Sequence, residues 1–494
     1  MTEQPVTAHG EVHRRDRSLA SGLAWTAGAK WATQVLSWAS TLIVARLLTP
    51  ADYGIIGMAG VYLGFVQMVS EFGLGTALIQ NRDLDRTQIA RINGLSVLIG
   101  VALFALSCAL ALPIALFFHE HAVRLVVLVL ASTYVITSLQ VVPRALLARE
   151  LRFRGLAAIE SAEALIQTVA TLAFAIAGAR YWAIVFGSIV AKVGSTAMLL
   201  IVRPHRVAWP RQLSQLHRVL TFGWQVVVSR LAWYAYSNAD FAVVGRLLGE
   251  KALGAYSFGW NIASIPADKL NTVLGRVIVP ILAEVQGDAA AVARYLLRLS
   301  EGLAVLVLPA SVGMALVAPQ FVQFALGERW MAAVVPLQLL SVHVTVRCIN
   351  SVFAQALLAI GDTRQSMRVG LWQLAAMPAL FVVGAKLWGV PGVALMWLIG
   401  HPLVTFPPLI LYSSRRIRMP LRLLAEALWP ASAGTAVMAA AVLACDAFLP
   451  QDTATGVRLA VSVAVGAAVY PALMWCLFHR RIRSVTAALR RLRH

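Results

Sequence analysis

Apolar residues run along this chain in long blocks separated by short polar stretches. A hydrocarbon core about 30 Å thick needs about 20 apolar residues to be crossed by a helix. About fourteen blocks reach that length, at residues 19–45, 53–79, 92–118, 122–142, 156–177, 181–202, 219–248, 252–279, 299–326, 331–360, 369–387, 390–411, 423–448 and 457–478. They are too long to be the strands of roughly ten alternating residues that build an outer-membrane barrel. The pattern therefore predicts an all-α integral membrane protein of about fourteen transmembrane helices. The first block is too long for the apolar core of a signal peptide and reads as a retained first helix.

One stretch recurs. Arg46-Leu47-Leu48, followed by Gly54, returns as Arg246-Leu247-Leu248, followed by Gly254, and the same offset carries Lys30 onto Arg230. Ala145-Leu146-Leu147-Ala148 recurs as Ala356-Leu357-Leu358-Ala359 at a slightly larger offset. The repeat divides the chain into a polar tail (1–18), a first lobe of six spans (19–203), a basic connector (204–218), a second lobe of six spans (219–414), two further spans (415–478) and a basic tail (479–494). An even number of spans per copy makes the lobes parallel repeats. Such a repeat in so apolar a chain points to a transporter with its substrate path between two related bundles. The connector, with Pro204 and Pro210, reads as a hinge. Gly60 and Gly64 fall on one face of the second span, where a neighbouring helix can approach closely. Pro266, Pro309, Pro336 and Pro378 mark expected kinks.

Composition agrees and adds a sign. The 494 residues are 59% hydrophobic and 13% charged, which excludes an ordinary soluble enzyme, and the net charge is +20. Such a charge could suggest nucleic acid, so its placement decides the matter. Roughly two thirds of the 42 lysines and arginines fall in the tails and the even-numbered loops, which is the positive-inside bias. Both termini are therefore expected in the cytoplasm, and a nucleic-acid partner fits poorly. The basic segment from Arg480 to Arg493 is expected to lie on the anionic inner leaflet. Cys108, Cys348, Cys445 and Cys476 sit within spans without ligand spacing and read as packing residues, so no metal is expected. Phosphate-binding loops, HExxH and nucleophile elbows are absent from the sequence, so neither catalysis nor a cofactor is expected.

Ionisable groups at membrane depth are costly and usually face a lumen or a partner. Lys30, Arg230, Lys269, Arg347 and Lys192 form the candidate substrate-binding set, a cationic lumen suited to phosphate or pyrophosphate. Glu71, Asp240, Asp268 and His343 are the candidates for coupling to a proton or sodium gradient. A plainer reading stands beside this one, in which the charges pair among themselves: Asp240 with Arg230 or Arg347, Glu71 with Lys30 or Lys269.

The chain also resembles a family. Arg46-Leu47-Leu48-Thr49-Pro50 with Asp52-Tyr53-Gly54, Phe72-Gly73-Leu74, Ala77-Leu78-Ile79-Gln80, the run Leu146–Arg154, Tyr181-Trp182-Ala183-Ile184-Val185, Phe222-Gly223, Asp240, Gly245–Gly249, Leu253-Gly254-Ala255-Tyr256 and Gly361-Asp362 follow one another in the order and spacing of the polysaccharide-transporter branch of the multidrug/oligosaccharidyl-lipid/polysaccharide flippase superfamily, close to its Wzx-type and teichuronic-acid-exporter members. The resemblance implies two six-helix lobes in a V, as in the multidrug and toxin exporters of that superfamily, opening alternately to each face of the bacterial inner membrane. It implies a polyprenyl-pyrophosphate-linked oligosaccharide as substrate, moved outward for exopolysaccharide, capsule or O-antigen assembly, with a polymerase and a chain-length regulator as pathway partners. A cation-coupled drug exporter on the same fold is the alternative. It would call for an acidic lumen, whereas this set is mostly basic. A non-transporting scaffold of a glycan assembly complex is a third reading, and it has no need of so many buried charges.

Overall fold

A computed structural model describes residues 37–70, 74–80, 84–209, 231, 233–285, 287–450 and 452–491, with the backbone alone at 76–77, 80, 268–281, 283, 363 and 477–491. Among the described residues the elements are helices: α1 (37–47), α2 (Pro50–Ser70), α3 (Leu74–Gln80), α4 (Arg86–Phe118), α5 (His121–Ser138), α6 (Val141–Arg149), α7 (Phe153–Ile176) and α8 (Trp182–Val202). They continue with α9 (233–237), α10 (Ala239–Glu284), α11 (Ala289–Ala325), α12 (Val334–Ala359), α13 (Thr363–Leu395), α14 (His401–Thr405), α15 (Tyr412–Arg416), α16 (Leu421–Phe448) and α17 (Thr455–Arg491). Ten described segments are long and apolar enough to cross a membrane, and one of them, Arg364–Arg416, holds two of the expected spans. The remaining expected spans, the first, seventh and eighth, fall wholly or partly outside the described residues or side chains.

Two breaks inside long helical runs come at glycine. Within α10 the backbone leaves the helical region at Gly249 (φ 86°, ψ −178°), and within α13 at Gly389 (φ 63°, ψ −140°). Such angles suit only a residue without Cβ. Both glycines lie in the short gaps between expected spans. Pro336, expected to kink a span, instead sits in the first turn of α12, where its missing N–H leaves no bond unmade.

Two compact units emerge. One gathers the described parts of Met1–Leu48, Ser70–Ser107 and Leu128–Gly223. Its core joins Leu74 and Leu78 of α3 to Ile92 and Leu95 of α4 and to Val142 and Leu146 of α6, while α7 lies along α8. The described start of the connector belongs to this unit and is pinned to α4. Ala208 donates its amide N–H to Ala90 O at 3.0 Å, Asn93 donates to Arg206 O at 3.2 Å, and a side chain at Gly94 would run into Ala208 O.

The other unit gathers Thr49–Val69, Cys108–Val127 and the described residues beyond 223. It opens on a capping box: Thr49 precedes Pro50, and Asp52 accepts from the Thr49 amide at 3.0 Å and its hydroxyl at 2.7 Å. The repeated motif then meets its own copy. A Cβ on Gly54 would run into the carbonyl of Glu250, and a Cβ on Gly254 into the carbonyl of Pro50. Each glycine thus packs on the residue equivalent to the one its counterpart touches. Glycine at both positions lets the two backbones cross in contact. Gly60, expected to serve such an approach, faces open space, and Gly64 lies against the Tyr234 hydroxyl instead.

Behind this crossing, α10 packs on α12 and α13, and α11 on α12, α16 and α17. The segments joining α13, α14 and α15 are π-helical, at Met396–Gly400 and Phe406–Leu411. Pro407 and Pro408 explain the second. Pro408 has no N–H for the carbonyl of Val404, and the Trp372 indole donates to that carbonyl at 3.1 Å. The Tyr412 N–H reaches back to Pro407 O, leaving Pro408 O to the Gln365 amide at 2.7 Å. A bare carbonyl in hydrocarbon is expensive, so these two side chains complete the span. Trp372→Phe is expected to lower stability by about 1–3 kcal/mol, the cost of an unsatisfied buried acceptor. Thermal unfolding in detergent reads this, with Trp388→Phe, at an exposed position, as the comparison that stays near wild type.

Candidate functional site

Buried polar groups inside an apolar bundle persist only where each finds a partner or a use. In the second unit they converge on Trp397, which the first π-turn places in the interior. Asp240, in the first turn of α10, is 0% exposed. Its Oδ2 accepts from the Tyr256 hydroxyl at 2.6 Å and from the Trp397 indole at 2.8 Å. The rings of Trp260, His343, Phe381 and His401 surround Trp397 at 5.2, 5.1, 5.0 and 5.3 Å between centroids.

Two of those rings are imidazoles. His343 of α12 and His401 of α14 stand edge to face at 5.1 Å, and both are buried. Neither nitrogen of His343 has a hydrogen-bond partner of normal geometry among the described residues. The amide of Gln373 reaches His401 Nε2 at 3.5 Å. Arg347, one turn beyond His343 on α12, places its guanidinium 5.7 Å from the Trp260 ring centre and donates to Ser264 at 3.2 Å. One carboxylate, two imidazoles and one guanidinium thus share a buried aromatic enclosure, with a single ring, Trp397, touching the carboxylate and both imidazoles. Such a set can hold or pass a proton.

A second polar cluster occupies the first unit. Glu163 of α7 bonds Lys192 of α8 at 2.6 Å and lies 3.8 Å from Arg144 of α6. Beside it the Gln140 amide donates to the hydroxyls of Ser195 at 3.0 Å and Thr196 at 2.7 Å. Three helices are tied at one level. Two cations share one carboxylate here, so this cluster keeps an excess positive charge.

The sequence-derived candidates therefore divide. Asp240, His343 and Arg347 come together in one cluster, and Asp240 bonds to Tyr256 and Trp397 rather than to Arg347. Lys192 has Glu163 beside it. Lys30, Glu71 and Arg230 lie outside the described residues, and for Asp268 and Lys269 only the helical backbone of α10 is described. His401 and Glu163 were absent from the set although each is an ionisable residue within an apolar block, a signal the sequence did carry. Tyr256 and Trp397 carried none, since aromatic residues are common in any span.

Comparison with known proteins adds relatives. A family model described as polysaccharide biosynthesis protein matches residues 43–335. The chain is similar to the lipopolysaccharide biosynthesis protein WzxC of Escherichia coli (strain K12), 23% identical over 77% of each chain. It is similar to the teichuronic acid biosynthesis protein TuaB of Bacillus subtilis (strain 168), 25% identical over 70% of this chain and 72% of that one. Among solved structures, the lipid II flippase MurJ in an inward closed conformation superposes with a TM-score of 0.74 at 13% identity, covering 93% of this chain and all of that one. At such identity the likeness is one of fold.

Proposed function

The chain belongs to the polysaccharide biosynthesis protein family, and from that membership we propose that it is a bacterial inner-membrane flippase for polyprenyl-pyrophosphate-linked oligosaccharides. The observation that carries the reading is the family match over more than half of the chain, joined to relatives named for lipopolysaccharide and teichuronic acid biosynthesis. The physical need is clear. A sugar-pyrophosphate head group has no partners in hydrocarbon and crosses it very slowly unaided, so a protein must offer a wet, charged passage. The polyprenyl tail can stay in lipid meanwhile.

In this reading Lys30, Arg230, Lys269, Arg347 and Lys192 supply the positive potential that holds the pyrophosphate, through charge-assisted bonds. Access alternates, and the substrate shifts the equilibrium by its differential affinity for the two states. Asp240, His343 and His401 supply the coupling, taking up a proton on one side and releasing it on the other. No cofactor or covalent step is needed. Both termini face the cytoplasm in this reading, which the arginine-rich even loops support. A polymerase and a chain-length regulator take the product outside.

The test is the pool of polyprenyl-pyrophosphate-linked repeat units, scored by leaflet, in cells depleted of this protein. Accumulation in the cytoplasmic leaflet with loss of surface polysaccharide is the expected result. An unchanged pool with normal surface glycan, in a strain without a second flippase, overturns the reading and favours a small-molecule exporter. Lys30→Ala and Arg230→Ala are each expected to reproduce the depletion phenotype at normal protein level. Normal export by the double variant removes the cationic site from the proposal.

A further inference from the structure

A cavity of about 340 Å³ lies within the second unit, lined by α2, the end of α4 and the junction of α9 with α10. Tyr62, Phe65, Phe117, Tyr234 and Ala242 form much of its wall. Its few polar groups are already engaged. The Tyr234 hydroxyl donates to the carbonyls of Gly60 and Val61 at 3.2 and 3.1 Å, and the Asn238 amide donates to Tyr234 O at 3.0 Å. A guest therefore finds apolar walls without free donors.

One end of the cavity is different. Arg246 lies one helical turn beyond Ala242, on the same face of α10. Its guanidinium sits 5.6 Å from the centre of the Phe117 ring, which lines the cavity, and contacts the ring nitrogens of His119. His119 occupies the turn between α4 and α5, with φ 56°, so this end lies where spans meet the membrane surface. Among the described residues no carboxylate forms an ion pair with Arg246. An apolar slot with a cation and an imidazole at its membrane-surface end matches an amphipathic anion.

We propose that this cavity binds an anionic glycerophospholipid, with one acyl chain between α2, α4 and α10 and the phosphate on Arg246 and His119. The lining fits a stretch of acyl chain, since its walls are almost wholly apolar. The charge selects the head group, since a zwitterionic lipid brings its own cation to an arginine. The inference is independent of what the protein transports.

The experiment uses the purified full-length protein in nanodiscs doped with phosphatidylglycerol carrying a diazirine on one acyl chain, followed by peptide mapping. Adducts are expected on residues 61–65, 113–118 and 234–242, in excess over the matching phosphatidylcholine probe. Arg246→Gln is expected to lower phosphatidylglycerol labelling about fivefold and to erase that excess, as befits loss of one cation worth about 1 kcal/mol near a membrane surface. Ala242→Trp, which fills the cavity, removes labelling by both probes. Adducts spread evenly around the lipid-facing belt overturn the proposal. So does a preference for phosphatidylglycerol that survives Arg246→Gln, or displacement of the probe by polyprenyl phosphate at lower concentration than by phosphatidylglycerol.

Discussion

Asp240→Asn is expected to reduce polysaccharide export to background while the protein accumulates at its normal level. The carboxylate accepts both of its side-chain hydrogen bonds on one oxygen, and an asparagine carbonyl can take that place with the same shape. Folding should therefore survive, and the charge alone is lost. Asp240→Ala is different: the Tyr256 hydroxyl and Trp397 indole would both lose their acceptor, at about 1–3 kcal/mol for each buried group, and the protein should be scarce. Asp240→Glu keeps the titratable group and should retain partial export. The decisive assay is proton movement into proteoliposomes with an internal pH dye, driven by an imposed substrate gradient. Proton movement by wild type that vanishes in Asp240→Asn supports coupling through this cluster. Full export by Asp240→Asn would make the carboxylate a structural acceptor and nothing more.

The second large effect belongs to the crossing of the two repeat motifs. Gly54→Ala and Gly254→Ala are each expected to destabilise the protein by about 1–3 kcal/mol, the usual cost of forcing an extra group into a close-packed interface. Each new methyl would meet backbone, Glu250 O in one case and Pro50 O in the other, and backbone cannot swing aside as a side chain does. Gly60→Ala, on the same helix but facing open space, is expected to be neutral or slightly stabilising, because alanine is the better helix former by about 1 kcal/mol. Thermal unfolding in detergent distinguishes them. Equal losses at Gly54 and Gly60 would mean that the close backbone crossing does not set the effect, since helix propensity favours alanine at both positions.

The candidate site was half legible in advance. Asp240, His343 and Arg347 stand out because charge and imidazole are rare inside apolar blocks, and rarity is a property of sequence alone. Their common location is not. They lie on α10 and α12, about a hundred residues apart, and a ring on a π-turn of a third segment joins them. Trp397 faces that centre because the backbone between Leu395 and His401 winds by an extra residue, a shift that no hydrophobic period registers. The same limit applies to Lys192. Its charge at membrane depth is visible in sequence, but its partner Glu163 sits on the preceding helix and comes within reach only once α7 lies along α8.

What the sequence determined by itself was the class of protein. Blocks of apolar residues long enough to cross a bilayer leave the backbone no stable form except helix or closed barrel, and their length chose helix. The placement of arginine set the expected orientation, and the recurrence of Arg46-Leu47-Leu48 and Gly54 marked the internal repeat. Tertiary structure alone decided what those motifs do. Thr49 and Asp52 cap a helix, Gly54 and Gly254 admit each other's backbones, and Trp372 and Gln365 satisfy carbonyls that prolines had left bare. The cap is local, three residues apart, but the glycine crossing and the satisfied carbonyls each depend on two segments meeting at hydrogen-bonding or van der Waals distance. Hydrophobic pattern reports only whether a residue prefers water or lipid, and it is silent on which neighbour that residue will touch.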